Sequence, residues 1–201
     1  MEILELEPEE TVAILRGDPS RSPSAAERHP GLHVSDIIRD IENTTTKVGK
    51  RPPVARLSPE ELKRMGSYVE VGWMWERVIR NAMCATYYAV VARYESLGEI
   101  ELDGIYGNPD WFDVIDFAVE ELKATYRSSR RPIDADFWSW FVQVKAYCKM
   151  TETRLARLRV FFVNGDYRQS GPQFKLWRLE FEQAELDKNW DMLRKHGEKM
   201  Q

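Results

Sequence analysis

The sequence predicts an α/β sandwich with a mixed central sheet, and three observations carry that prediction. Short runs of strand-like residues cluster between Glu99 and Tyr126. A run with helical periodicity, Asp134 to Met150, separates them from a second strand-like run, Arg154 to Val163. A third strand-like run and a closing helix follow. The order is helix, three strands, helix, one or two strands, helix, which demands helices packed on the faces of a sheet.

Each element has its own signal. Residues 1–30 carry prolines, serines and scattered charges (GDPSRSPSAAERHPG) and read as an extended or flexible N-terminal arm. Residues 31–201 read as a single domain, with a core at about 67–182 and a C-terminal helix at about 182–198. His33 to Ile41 opens it as a short helix. At Ser58, SPEE combines a capping serine, a proline suited to the first helical position and early acids. Val69 to about Tyr94 is apolar enough for one long, substantially buried helix. Glu99 to Tyr106 (EIELDGIY) alternates with period two and reads as one strand; Trp111–Phe117 and Val119–Tyr126 read as a hairpin. In the next helix Phe137, Trp140, Phe141, Val144 and Tyr147 recur every three or four residues. Arg154–Val163 and Phe174–Phe181 read as strands, and Glu182–His196 as the last helix.

Composition narrows the class. The 201 residues are 43% hydrophobic, with seven Trp, eight Tyr and eight Phe, so the chain can build a sizeable core. A net charge of −4 gives no overall attraction to nucleic acid, and any such surface must be local. No apolar run approaches membrane-spanning length, and the start MEILELEPEE is unlike a secretory signal, so a cytoplasmic protein is expected. The two cysteines, Cys84 and Cys148, read as reduced thiols and are too few for a four-cysteine zinc or iron–sulfur site. His29, His33 and His196 form no paired zinc-ligand motif, which disfavours a zinc hydrolase.

Chemistry concentrates in the middle of the chain. Residues two apart in a strand share a face, so Glu121 and Lys123 project together while Leu122 faces the other layer. Asp110 sits at a Pro-Asp corner from which a neighbouring strand can bring it beside Glu121. Asp113 and Asp116 are alternative first acids, and Glu120 is the rival second acid, but Glu120 has Leu122 as its i+2 partner. Two converging carboxylates repel unless a proton or cation joins them. Hard oxygen donors suit Mg²⁺ or Mn²⁺, and a lysine beside them can orient water or neutralise a phosphate. The plain alternative is an exposed strand face carrying a weak ion pair.

Pro109-Asp110 followed by Glu121-Leu122-Lys123 resembles the signature of the PD-(D/E)XK nuclease superfamily, the restriction-endonuclease-like fold. Gln143-Val144-Lys145-Ala146-Tyr147 resembles the Q-x-x-x-Y motif of its RecB-like branch, which includes lambda-type phage exonucleases. Gly72-Trp73-Met74-Trp75-Glu76 is similar to that branch's upstream helix element. The resemblance spans about Val71 to Val163, and the predicted element order matches the αβββαβ core of that fold. It implies a Mg²⁺-dependent DNA nuclease, an exonuclease of phage or mobile-element DNA processing and recombination. Asp110, Glu121 and the Leu122 backbone carbonyl would then hold the metal, with Glu76 adding a carboxylate. Lys123 would serve the water or the phosphate, and Gln143 and Tyr147 would brace the site and contact the substrate backbone. Considered alone, the last two are a surface glutamine and a core tyrosine.

Two features set this chain apart. Trp111 stands where relatives commonly have a small residue, and the iron–sulfur cluster of some relatives is not expected. After the Glu121–Lys123 strand, Arg127, Ser128, Ser129, Arg130 and Arg131 would form a basic loop for phosphate backbone, without base readout. Lys149, Arg154, Arg157 and Arg159 extend that track or cover a helix end and sheet edge. Trp138, Trp140 and the Trp73/Trp75 pair read as packing residues. The expected partner is DNA bound without strong sequence preference; ring-forming relatives leave room for a homo-oligomer or a recombination partner. The rival readings are a non-catalytic module of the same fold and a structure-directed endonuclease.

Overall fold

The computed structural model describes residues 29–45, 74–75, 78, 93–164, 166 and 172–201. The expected N-terminal arm (save its last two residues), the SPEE helix, Trp73, Glu76 and Cys84 lie outside the described residues. So does most of the long helix expected from Val69, of which positions 74, 75 and 78 are helical. Its expected end at Tyr94 is corrected: Arg93 is in a turn and Tyr94–Glu95 is a strand.

In chain order the described elements are β1 (Leu32–His33), α1 (Val34–Thr45), β2 (Tyr94–Glu95), β3 (Ile100–Leu102), β4 (Ile105–Gly107), β5 (Trp111–Asp113), β6 (Ala118–Thr125), α2 (Ile133–Asp136), α3 (Trp138–Met150), β7 (Leu155–Phe162), β8 (Gln173–Glu180) and α4 (Gln183–Gly197). Two mixed sheets result, a small one in the order β1-β4-β3 and a five-stranded one in the order β2-β5-β6-β7-β8. In the larger sheet β6 and β7 run parallel, joined by the α2–α3 crossover, and the other pairs are antiparallel. A parallel pair requires such a crossover because a tight turn reverses chain direction.

One expected strand is in fact a hairpin. Glu99–Tyr106 folds back on itself, pairing Leu102 with Ile105, and the turn residues Asp103 and Gly104 have φ of 52° and 76°. Two positive φ values are what a two-residue turn needs, and an Asp-Gly pair is the usual way to obtain them. The Trp190 indole Nε1 donates to Asp103 Oδ2 at 2.8 Å and ties this turn to α4. The expected helix from Asp134 is also interrupted, at Phe137, between α2 and α3.

The register divides the sheet side chains between two faces. Val119, Ala156, Leu158, Val160 and Phe162 face the main core together with Val34, Ile37, Ile38 and Ile41 of α1, Val142 and Val144 of α3, and Leu186, Trp190 and Leu193 of α4. The helix α3 lies between that face and helices α1 and α4, so it is buried on several sides, at Val142, Val144, Ala146, Tyr147 and Cys148. That placement explains why its apolar residues do not form a single narrow stripe.

The opposite face carries charge below its surface. Arg157 Nη1 is 2.5 Å from Asp113 Oδ2 and 2.7 Å from Glu120 Oε1, and its Nη2 pairs with Asp116. Arg159 Nε donates to Glu120 Oε2 at 2.7 Å, while Arg93 reaches Asp113 and Asp116 at 2.7 and 2.6 Å. Asp113 and Glu120 are fully buried. Three arginines thus meet three carboxylates across β5, β6 and β7, close to the condition under which buried charge is tolerated.

Candidate active site

The β4–β5 link and the middle of β6 bring the predicted residues together. Asp110 precedes β5, and its Oδ2 accepts the Leu122 backbone N–H at 2.7 Å, across from the strand that holds Glu121 and Lys123. Asp110 is therefore aimed at that strand. A strand residue sends its N–H and C=O out on the same edge, so the Leu122 carbonyl also faces the β5 side.

Glu121 and Lys123 occupy the α3-facing side of the sheet, as the period-two argument requires. Lys123 Nζ is 2.5 Å from Glu121 Oε1 and donates to Gln143 Oε1 at 2.9 Å. Gln143 Nε2 in turn donates to the Tyr147 hydroxyl at 2.8 Å, one helical turn further along α3. A continuous chain of contacts thus runs Glu121–Lys123–Gln143–Tyr147, from the strand to the helix behind it.

The electrostatics follow from burial. Glu121 is only 3% exposed. Burial raises the Tyr147 hydroxyl far above the ordinary tyrosine range, the charges of Glu121 and Asp110 add to the effect, and the hydrogen bonds only partly offset it. Tyr147 therefore remains a neutral phenol at any working pH. The ring is packed so closely that a Cβ added at Gly107 would lie 2.9 Å from Tyr147 Cε1 and 2.8 Å from Met150 Sδ. Gly107 is a site-forming residue that motif reasoning did not single out. Only its position just before the corner hinted at a close approach.

Other expectations are redistributed. Asp113, Asp116 and Glu120, the alternative acids, belong to the arginine network on the other face, as do Arg157 and Arg159. Trp111 pairs in register with Glu120 and is buried on that same face, so it does not narrow the site. Lys149 bonds Asp187 at 2.8 Å, and Arg154 bonds the Phe181 carbonyl at 2.9 Å. In the basic loop, Arg127 donates to the Asp136 carbonyl at 2.7 Å and stacks over Phe137. Arg130 meets Asp166 at 2.8 Å and Arg131 meets Asp136 at 3.2 Å, each with a side chain more than half exposed. The Ser128 hydroxyl accepts the Arg130 N–H, and Ser129 is buried. Trp140 stacks on Phe137 and Trp75 lies tilted against Phe161, in keeping with packing roles, whereas Trp138 is 40% exposed. His33 is buried beside Tyr106, with its Nε2 on the His29 carbonyl.

For a metal, the chemistry of the donor set is the test. Asp110, Glu121 and the Leu122 carbonyl are all hard oxygens, which fit Mg²⁺ or Mn²⁺. Among the described residues no group of three or more His, Cys, Asp or Glu side chains converges on one point. The further carboxylate expected from the sequence, Glu76, lies outside them. No described helix is long and apolar enough to cross a membrane.

No protein-family profile matches the sequence, and no curated protein is similar to it in sequence. Solved structures are similar in fold. A phage-related exonuclease from Haemophilus somnus 129PT superposes with a TM-score of 0.50 at 11% identity, over 86% of this chain and 93% of that one. The alkaline exonuclease of Laribacter hongkongensis gives 0.47 at 12% identity, over 83% and 85%. The protein called SSO0001 gives 0.48 at 12%, over 91% and 84%. With its mixed sheets flanked by helices and its superposition on the Haemophilus somnus exonuclease, the chain has the restriction-endonuclease-like α/β fold.

Proposed function

We propose that the protein is a divalent-metal-dependent DNA nuclease that hydrolyses phosphodiester bonds, an exonuclease of phage or mobile-element DNA processing and recombination. One observation carries the reading: short hydrogen bonds join Glu121, Lys123, Gln143 and Tyr147, and Asp110 accepts the N–H of Leu122, between Glu121 and Lys123. An exposed strand bearing a chance ion pair would not need a buried glutamate, a helix amide and a buried phenol arranged around it.

Asp110, Glu121 and the Leu122 carbonyl would hold Mg²⁺ or Mn²⁺, with Glu76 as an added ligand. When bound, such an ion supplies an acidified water and charge neutralisation at the phosphoryl oxygens. The chain's own residues do the rest. Lys123 presents a localised positive charge where negative charge grows on the phosphate, an arrangement preorganised by its two anchors. Gln143 orients the ammonium, and Tyr147 orients Gln143 instead of touching substrate, since it is buried. Arg130 and Arg131, with exposed guanidinium groups, suit the DNA backbone and read no bases.

The test uses end-labelled linear DNA and covalently closed circles, each with Mg²⁺ and with chelator. Linear DNA should be degraded only with Mg²⁺, and circles should survive. Glu121→Ala and Lys123→Ala should fold and lose activity by about a hundredfold or more. Cut circles would instead indicate a structure-directed endonuclease. Undiminished activity in both variants would remove the site, and inert protein without ion binding would leave a non-catalytic module.

A further inference from the structure

The Lys123 ammonium stands in the position of a counter-cation. Its Nζ is 2.5 Å from Glu121 Oε1, and the side chains are 19% and 3% exposed, so solvent screens the pair weakly. Asp110 Oδ2 accepts the N–H of Leu122, the residue between Glu121 and Lys123, at 2.7 Å, which brings a second carboxylate to the same stretch of β6. Such carboxylates repel in the absence of positive charge, and the lysine supplies it from within the chain. The same carboxylate, Glu121, is one that a divalent ion would use.

On the metal-dependent reading proposed above, we infer that Lys123 is a built-in competitor for the metal: it keeps the carboxylate pair assembled and weakens divalent-ion binding. The two cations draw on one carboxylate, so Glu121 cannot serve both at full strength. Gln143 makes the arrangement workable. Its Oε1 is a neutral second anchor for the ammonium, 2.9 Å away, and it points at the lysine because Nε2 is committed to Tyr147. Lys123 can therefore yield part of its hold on Glu121 and remain in the site, where the reaction needs its charge. The lysine trades affinity for the ion against readiness for the phosphate.

Calorimetric titration of the DNA-free protein with Mn²⁺ and with Ca²⁺ tests this without reference to cleavage. Lys123→Met keeps most of the side-chain length and removes the charge, and it should bind either ion about tenfold more tightly than wild type. Lys123→Arg keeps the charge and should stay near wild type. Glu121→Gln should weaken binding. Circular dichroism melting checks that each variant is folded, and Lys123→Gln replaces the methionine variant if that one is not. Equal or weaker binding by the uncharged variant, beside a wild type that binds, overturns the inference and leaves the nuclease reading standing. Absence of binding in every variant at about millimolar ion overturns the metal-dependent reading and the inference with it.

Discussion

Tyr147 illustrates how much one atom decides. Its hydroxyl accepts from Gln143 and its ring lies tight against Gly107, so it joins the helix amide to the corner that holds Asp110. Tyr147→Phe preserves the ring and removes that acceptor. It should cost about 1 kcal/mol in urea unfolding, as one hydrogen bond does, and lower turnover far more than DNA affinity. Gly107→Ala intrudes on the same ring and on Met150, which should cost about 1–3 kcal/mol by overpacking and reduce cleavage as the corner shifts. Cys148 is a separate case. Burial pushes its thiol up to about 12, so at pH 8 the folded protein should leave it unalkylated by iodoacetamide, while denatured protein reacts. Peptide mass spectrometry reads the difference.

At the scale of elements, β5 and β6 are the shared frame of two dissimilar faces. One face presents Glu121 and Lys123 to α3; the other binds Asp113 and Glu120 to Arg157, which enters from β7. Arg157→Met would leave two fully buried carboxylates short of a partner, and a loss of about 3–5 kcal/mol is expected in denaturant unfolding. The β5–β6 turn depends on the same group of charges: Asp113 Oδ1 accepts the N–H groups of Ile115 and Asp116. The turn exposes Ile115 and Phe117, and Phe117 adopts a positive φ of 54°. Period-two reasoning correctly read a hairpin here and identified the Glu121 frame. It missed the Asp103-Gly104 turn, because EIELDGIY keeps its alternation through the reversal.

For the whole molecule, pH links that network to stability. Burial alone would raise the Asp113 carboxyl, but hydrogen bonds from Arg93, Arg157 and two backbone N–H groups hold it below the usual value of 3.8. A depressed carboxylate contributes stability that is fully present above its unfolded pKa and is lost as pH falls through its folded one. The protein should therefore lose stability on acidification below about pH 4, in the range where free carboxylates protonate. Asp113→Asn should be less stable at neutral pH and lose less on acidification, as followed by urea midpoints at several pH values. The α/β class, the Glu121–Lys123 pairing and the Gln143–Tyr147 helix face were all present in the sequence by itself. They depend on periodicity, which is local. Only the tertiary structure decided that Asp113, Asp116 and Glu120 serve the arginines, that Trp111 turns away from the site, and that Tyr147 packs against Gly107 beside the corner. Those outcomes depend on which strand lies beside which and in what register, and residues far apart in the chain do not record that.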